Sequence, residues 1–111
     1  MAPRQDRRAF PRVPADVPVV ASVLRSRLIG AGLRVPGTMR DVSAGGAAFT
    51  PCAPLAVGDA VLLAVRGDDR QIEAVVVRSE PREAGGIVCA CRFADPQPWL
   101  VDHIACAAVG A

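Results

Sequence analysis

Six short apolar runs, each closed by glycine, proline or aspartate, set the tightest limit on what this chain can fold into. Val17 to Ile29 alternates Val23, Arg25 and Arg27 against Leu24, Ser26 and Leu28, the period of a strand. Gly30-Ala31-Gly32 is a turn signal. Leu33 to Val42 is a second strand interrupted by Pro36 and Gly37, a break that predicts an edge or a bulge. The turn Ser43-Ala44-Gly45-Gly46 precedes a short strand through Ala47-Ala48-Phe49. Pro51 to Pro54 is a loop, and Leu55-Ala56-Val57-Gly58-Asp59 turns into the strand Ala60 to Val65. Gly67-Asp68-Asp69 closes a hairpin onto Gln71 to Glu80, which carries Ile72, Ala74 and Val76 on one face. After a loop from Pro81 to Gly86, the last strand runs from Ile87 to Phe93, with Ile87, Cys89, Cys91 and Phe93 together on one face.

The period changes after Asp95. That residue suits a helix N-cap, with Pro96 at the first helical position. Trp99, Leu100, His103, Ile104 and Ala107 then recur at helical spacing, to an end near Gly110. Short strands at regular spacing followed by one helix predict a mainly all-β fold. The expected form is a small, closed or nearly closed antiparallel barrel with a C-terminal helix packed on it. The expected organisation is an extended basic arm over 1–15, a barrel over 16–95 and the helix over 96–110.

A chain of 111 residues, 51% of them hydrophobic, holds one core and little else. No apolar run approaches the roughly 18 to 20 residues of a membrane span. The charged start has no apolar segment of the secretory kind, so a cytoplasmic location is expected. The net charge of +2 hides an asymmetry. Arg4, Arg7, Arg8 and Arg12 face only Asp6 in the first dozen residues, while the rest of the chain is slightly acidic. Such a cluster is either a solvated tail or an anion site. Every basic side chain but the one histidine is arginine, whose planar fork suits phosphate oxygens and a guanine edge and stacks on a flat base.

Catalytic and metal readings find little support. Cys52, Cys89, Cys91 and Cys106 form no CxxC and read as buried free thiols, without a structural disulfide. His103 is the single histidine and has no motif around it. Asp68-Asp69 is a turn, and Gly45-Gly46 is neither a GxGxxG nor a P-loop. No enzyme activity, cofactor or metal is expected.

Two motifs remain, held far apart. Arg8-Ala9-Phe10-Pro11-Arg12 is an RxxxR, although Arg4 and Arg8 form a second one. Asp41-Val42-Ser43-Ala44-Gly45-Gly46 is a DxSxxG. An Asp carboxylate accepts from guanine N–H groups, a Ser hydroxyl donates to phosphate, and glycine lets a backbone turn tightly and approach a ligand. The pair, in this order, resembles the signature of PilZ domains, bacterial receptors for cyclic di-GMP. The resemblance extends to Val13 after the second arginine and Phe49 after the glycine turn. It continues through Leu55-Ala56-Val57-Gly58-Asp59-Ala60-Val61, Val75-Val76-Val77-Arg78 and Arg92-Phe93, and so covers about residues 7–95. It implies a six-stranded antiparallel barrel.

It also implies a ligand set: Arg8 and Arg12 on phosphates and guanines, Asp41 and Ser43 on guanine and phosphate from the sheet, and Gly46 shaping the turn. Arg7 stands where the family's residue influences whether one or two nucleotides bind, and an arginine there favours a dimeric ligand. Arg40 either assists or points away, since simple alternation puts it on the face opposite Asp41. The stretch Cys89-Ala90-Cys91-Arg92-Phe93 lacks the glycine that many members carry there. The function implied is a receptor that relays second-messenger level to a protein partner through ordering of the arm, in motility or biofilm control. Two alternatives are an adaptor that works by protein contacts without ligand, and a single-stranded nucleic-acid binder. The latter is disfavoured, because the chain has no Tyr, one Trp and three Phe for stacking and little basic charge outside the arm.

Overall fold

The computed structural model describes residues 12–110, with side chains described as far as Ala105. The elements are β1 (Val13–Arg25), β2 (Arg34–Val42), β3 (Gly46–Pro51), β4 (Ala60–Val65), β5 (Gln71–Pro81), β6 (Ile87–Phe93) and α1 (Pro98–Gly110). The strands close into a barrel in the order β1-β2-β3-β6-β5-β4, every neighbouring pair antiparallel.

The alternation in the sequence becomes the inside and outside of that barrel. Val19, Ala21 and Val23 of β1, Ile72, Ala74 and Val76 of β5, and Cys89, Cys91 and Phe93 of β6 all point into one core. Phe49, Met39 and Leu63 fill it. Burying a side chain of that size stabilises by about 1.5–3 kcal/mol, so the interior holds the barrel together.

Each mouth of the barrel is covered by different chain. One mouth carries the start of β1, the end of β2, the 43–46 turn, the β4–β5 hairpin and the end of β6. Here α1 inserts Leu100 and Ile104 into the core. The helix is fastened by its polar side. Arg70 stacks 3.8 Å above the Trp99 ring, Asp68 grips Arg70 at 3.0 Å, and His103 Nε2 donates to the Arg66 carbonyl at 3.1 Å. The opposite mouth is crossed by residues 52–59, which connect β3 to β4 on the far side of the barrel. Leu55 plugs it.

Several boundaries differ from the sequence reading. The first strand lies earlier, because Val13 and Pro14 already pair with β2, so residues 13–15 belong to the barrel rather than to an arm. At its other end Asp59 captures Ser26 and the Arg27 amide and pulls the chain out of the strand. The second strand is not an edge, since the barrel is closed. Its Pro-Gly break marks a close approach instead: a Cβ on Gly37 would stand 2.7 Å from the Thr50 carbonyl oxygen. The helix begins at Pro98, not Pro96. Gln97 N–H is held by the Ala44 carbonyl at 2.6 Å, so Pro98 takes the first helical position and Asp95 is no cap. Cys52 is exposed, unlike Cys89 and Cys91, because it lies past the last buried position of β3.

Candidate functional site

The β1–β2 ladder brings the ends of the two motifs together. Val13 pairs with Val42 and Pro14 with Asp41, so Arg12 arrives beside the Asp41 carboxylate. Its guanidinium donates to Asp41 Oδ1. Both side chains stay about one third open to solvent, at 32% and 36%. The pair is therefore reachable by a ligand while each partner restrains the other.

A bulge enlarges this site. Met39 pairs with Phe49 and Asp41 with Ala48, leaving Arg40 as the extra residue of β2. Met39 and Val42 are both fully buried, so the two residues between them both face outward. Arg40 and Asp41 consequently line one open cleft of about 360 Å³ together with Arg12, Val13 and Pro14. This corrects the simple alternation, which places Arg40 and Asp41 on opposite faces. Arg40 Nη1 lies 3.6 Å from Asp16 Oδ1, where both side chains are largely exposed and the attraction is weak.

The rest of the DxSxxG motif builds the wall behind the cleft. Ser43 is only 5% exposed. Its hydroxyl donates to the Gly46 carbonyl at 3.4 Å and accepts from the Gly45 amide at 3.3 Å, while its own N–H bonds the same carbonyl at 2.8 Å. Gly45 accepts from Phe93 N–H at 2.9 Å and Ala44 from Gln97 N–H, tying the turn to β6 and to the start of α1. Gly46 has no left-handed backbone and is the first residue of β3. Its need for glycine is steric, since a Cβ there would run into the Cys91 carbonyl oxygen. Ser43 and Gly46 thus hold the turn, and Arg12, Arg40 and Asp41 present the charge. Arg7 and Arg8 lie outside the described residues.

The sequence reading gave Asp59 no role of its own. This carboxylate is 1% exposed at the opposite mouth. It accepts from Ser26 Oγ at 2.6 Å, Ala56 N–H at 2.8 Å and Arg27 N–H at 3.1 Å. Burial pushes its pKa up, but the Ala56, Ser26 and Arg27 donors and the Arg27 charge outweigh that and hold it below the usual carboxylate value. A Gly-Asp pair directly before an apolar strand is the signal that could have found it.

The buried thiols are inert. Burial raises the Cys89 pKa and pushes that of Cys91 to about 12, so neither is a thiolate at neutral pH. Among the described residues no three His, Cys, Asp or Glu side chains converge on a metal-sized site. No helix among them is long and apolar enough to cross a membrane.

Known proteins share this architecture. The structure superposes on the Bacillus subtilis inhibitor of motility MotI/DgrA with a TM-score of 0.65 and 20% identity, covering 99% of this chain. The chain spans only 57% of that protein. It superposes on the PilZ domain of YcgR from Escherichia coli, solved with c-di-GMP, with a TM-score of 0.60 and 14% identity over 89% of this chain and 86% of that one. At such identities the likeness is one of fold. No curated protein matches the chain. The family profile described as PilZ domain matches residues 6–106, nearly the whole length. The chain therefore belongs to the PilZ domain family, whose members are generally receptors for cyclic di-GMP.

Proposed function

We propose that this PilZ domain binds cyclic di-GMP at the Arg12–Asp41 cleft and relays the level of that messenger to a protein partner. One observation carries the reading: the last arginine of RxxxR and the first aspartate of DxSxxG, 29 residues apart in sequence, meet as an ion pair on the outer wall. Chance motifs have no reason to meet. The chemistry suits the ligand. Guanidinium groups fork onto phosphodiester oxygens or the guanine O6/N7 edge, and a carboxylate accepts from guanine N–H groups. A cleft of about 360 Å³ is open enough for a nucleotide to lie against the wall.

In this reading Arg7, Arg8 and Arg12 clamp phosphates and guanines from the arm, Asp41 takes a guanine edge, and Ser43 and Gly46 hold the turn that aims it. Arg12 exchanges part of its pairing with Asp41 for ligand oxygens. The arginines of the arm repel one another until the phosphates neutralise them, and the closed arm is the changed surface that a partner reads. The role is recognition rather than catalysis. Calorimetric titration with cyclic di-GMP, with GTP as control, tests it. Saturable binding to cyclic di-GMP alone is expected, with the stoichiometry separating one bound nucleotide from an intercalated pair. No heat and no thermal shift at high ligand would overturn it in favour of an adaptor acting without ligand.

A further inference from the structure

At the mouth away from the cleft, residues 26–33 of the β1–β2 hairpin meet the segment crossing from β3 to β4. Asp59 binds Ser26 and the Arg27 amide, and Arg25 Nη2 donates to the Gly58 carbonyl at 3.1 Å, so the two loops form one surface. It carries Leu24, Leu28, Leu33 and Val57, which are 43%, 56%, 52% and 51% exposed. Single exposed apolar residues are ordinary, but three on two loops fastened together, with Leu24 beside them at the end of β1, make a patch.

The charge exposed on these two loops has one sign. No acidic residue occurs between Asp16 and Asp41. Arg27 and Arg34 are exposed and join no side-chain ion pair among the described residues. The one carboxylate on these loops, Asp59, is buried and committed to donors of its own barrel.

We propose that this mouth is the docking surface for a protein partner, through a segment that presents leucine-sized apolar side chains between carboxylates. Neither loop is a strand edge, so a partner seated on this patch is read by side chains. The cations are arginines, which fork onto carboxylates and are enriched in protein interfaces. A lipid surface is the weaker match. Polybasic membrane binding draws on about 4–8 cations at roughly 1 kcal/mol each. The two loops and the strand ends that flank them carry three, Arg25, Arg27 and Arg34. The proposal supplies the partner surface for the relay described above and rests on that reading only there. β2 runs from Asp41 at the cleft to Arg34 at this hairpin, about 23 Å at the usual rise per strand residue.

The test is amide-resolved NMR on the full chain, titrated with a synthetic peptide in which leucines alternate with paired glutamates. The controls are the lysine version of that peptide and phosphatidylglycerol vesicles. Saturable shifts confined to residues 24–34 and 56–58 are expected with the acidic peptide alone, weakening as salt is raised. Arg34→Glu and the double change Leu28→Ser with Leu33→Ser should each weaken binding about tenfold, from exposed positions that leave the barrel folded. Cyclic di-GMP affinity, measured on the same samples, should not change, so failure at this mouth is distinguishable from failure of the cleft. No shifts at the hairpin, equal response to the lysine peptide, or binding to vesicles alone would each overturn the proposal.

Discussion

Asp41 and Asp59 stand at opposite mouths of one barrel, each beside a turn that contains glycine, and the fold uses them in opposite ways. Asp59 is 1% exposed and accepts three hydrogen bonds from its own chain, closing the mouth where residues 52–59 cross over. Asp41 keeps a side chain 36% exposed and has, among the described residues, a single ion-pair partner, itself on the surface. Similar residue types therefore do structural work at one end and remain available at the other. The difference is set by donors. Asp59 is surrounded by backbone N–H groups that would otherwise lack partners. The donors around the 43–46 turn are bonded to Ser43 and to backbone carbonyls, which leaves the Asp41 carboxylate to side chains and ligand.

The comparison is easiest to break at Asp59. Replacing it with Ala strands buried donors, and a loss of about 3 kcal/mol in denaturant unfolding is expected, with cyclic di-GMP affinity of the folded protein retained. A loss under about 1 kcal/mol would mean that the mouth is closed by Leu55 alone. Arg12→Ala should do the reverse. Affinity should fall about 100-fold, equivalent to about 2.7 kcal/mol, while unfolding changes by less than about 1 kcal/mol, since an exposed ion pair adds little. Unchanged affinity would remove Arg12 from the site. Arg40→Ala should weaken binding about fivefold, as a cation on the rim of the cleft, and Asp16→Asn should not weaken it. Equal effects of the two changes would show that their ion pair, rather than Arg40 itself, shapes the site.

The smallest effect is a pH slope. The Asp59 pKa is depressed in the folded chain, so its contribution is present above about pH 4, the unfolded value, and is lost as pH falls through the lower folded value. Asp59→Asn should flatten the fall in stability over that acid range. An unaltered slope would place the acid sensitivity in other carboxylates.

Much of this architecture was legible in the chain. The strands Ala60–Val65 and Ile87–Phe93 appear with the expected bounds, because each is a clean period-two run between turn residues. The bounds of β1 and the start of α1 were not legible, because distant groups help fix them: Asp59 at Ser26 and Arg27, and the Ala44 carbonyl at Gln97. The same holds within the candidate site. Asp41 could be singled out by motif, and the Pro36-Gly37 break allowed a bulge in this strand, but that the bulge falls at Arg40 is seen only in the register of β3 against β2. Ser43 was expected to face a ligand, whereas its hydroxyl is bonded within its own turn.

The sequence by itself determined a six-stranded barrel with a terminal helix, the family, and the two motifs that point to a dinucleotide. Alternation and turn chemistry are local, and local patterns survive in one dimension. Tertiary structure alone decided that Arg12 meets Asp41, that Arg40 shares their cleft, that Gly46 must be small, and that Asp59 is buried. Each depends on which residue of another strand or loop arrives opposite, and that is fixed only when the barrel closes.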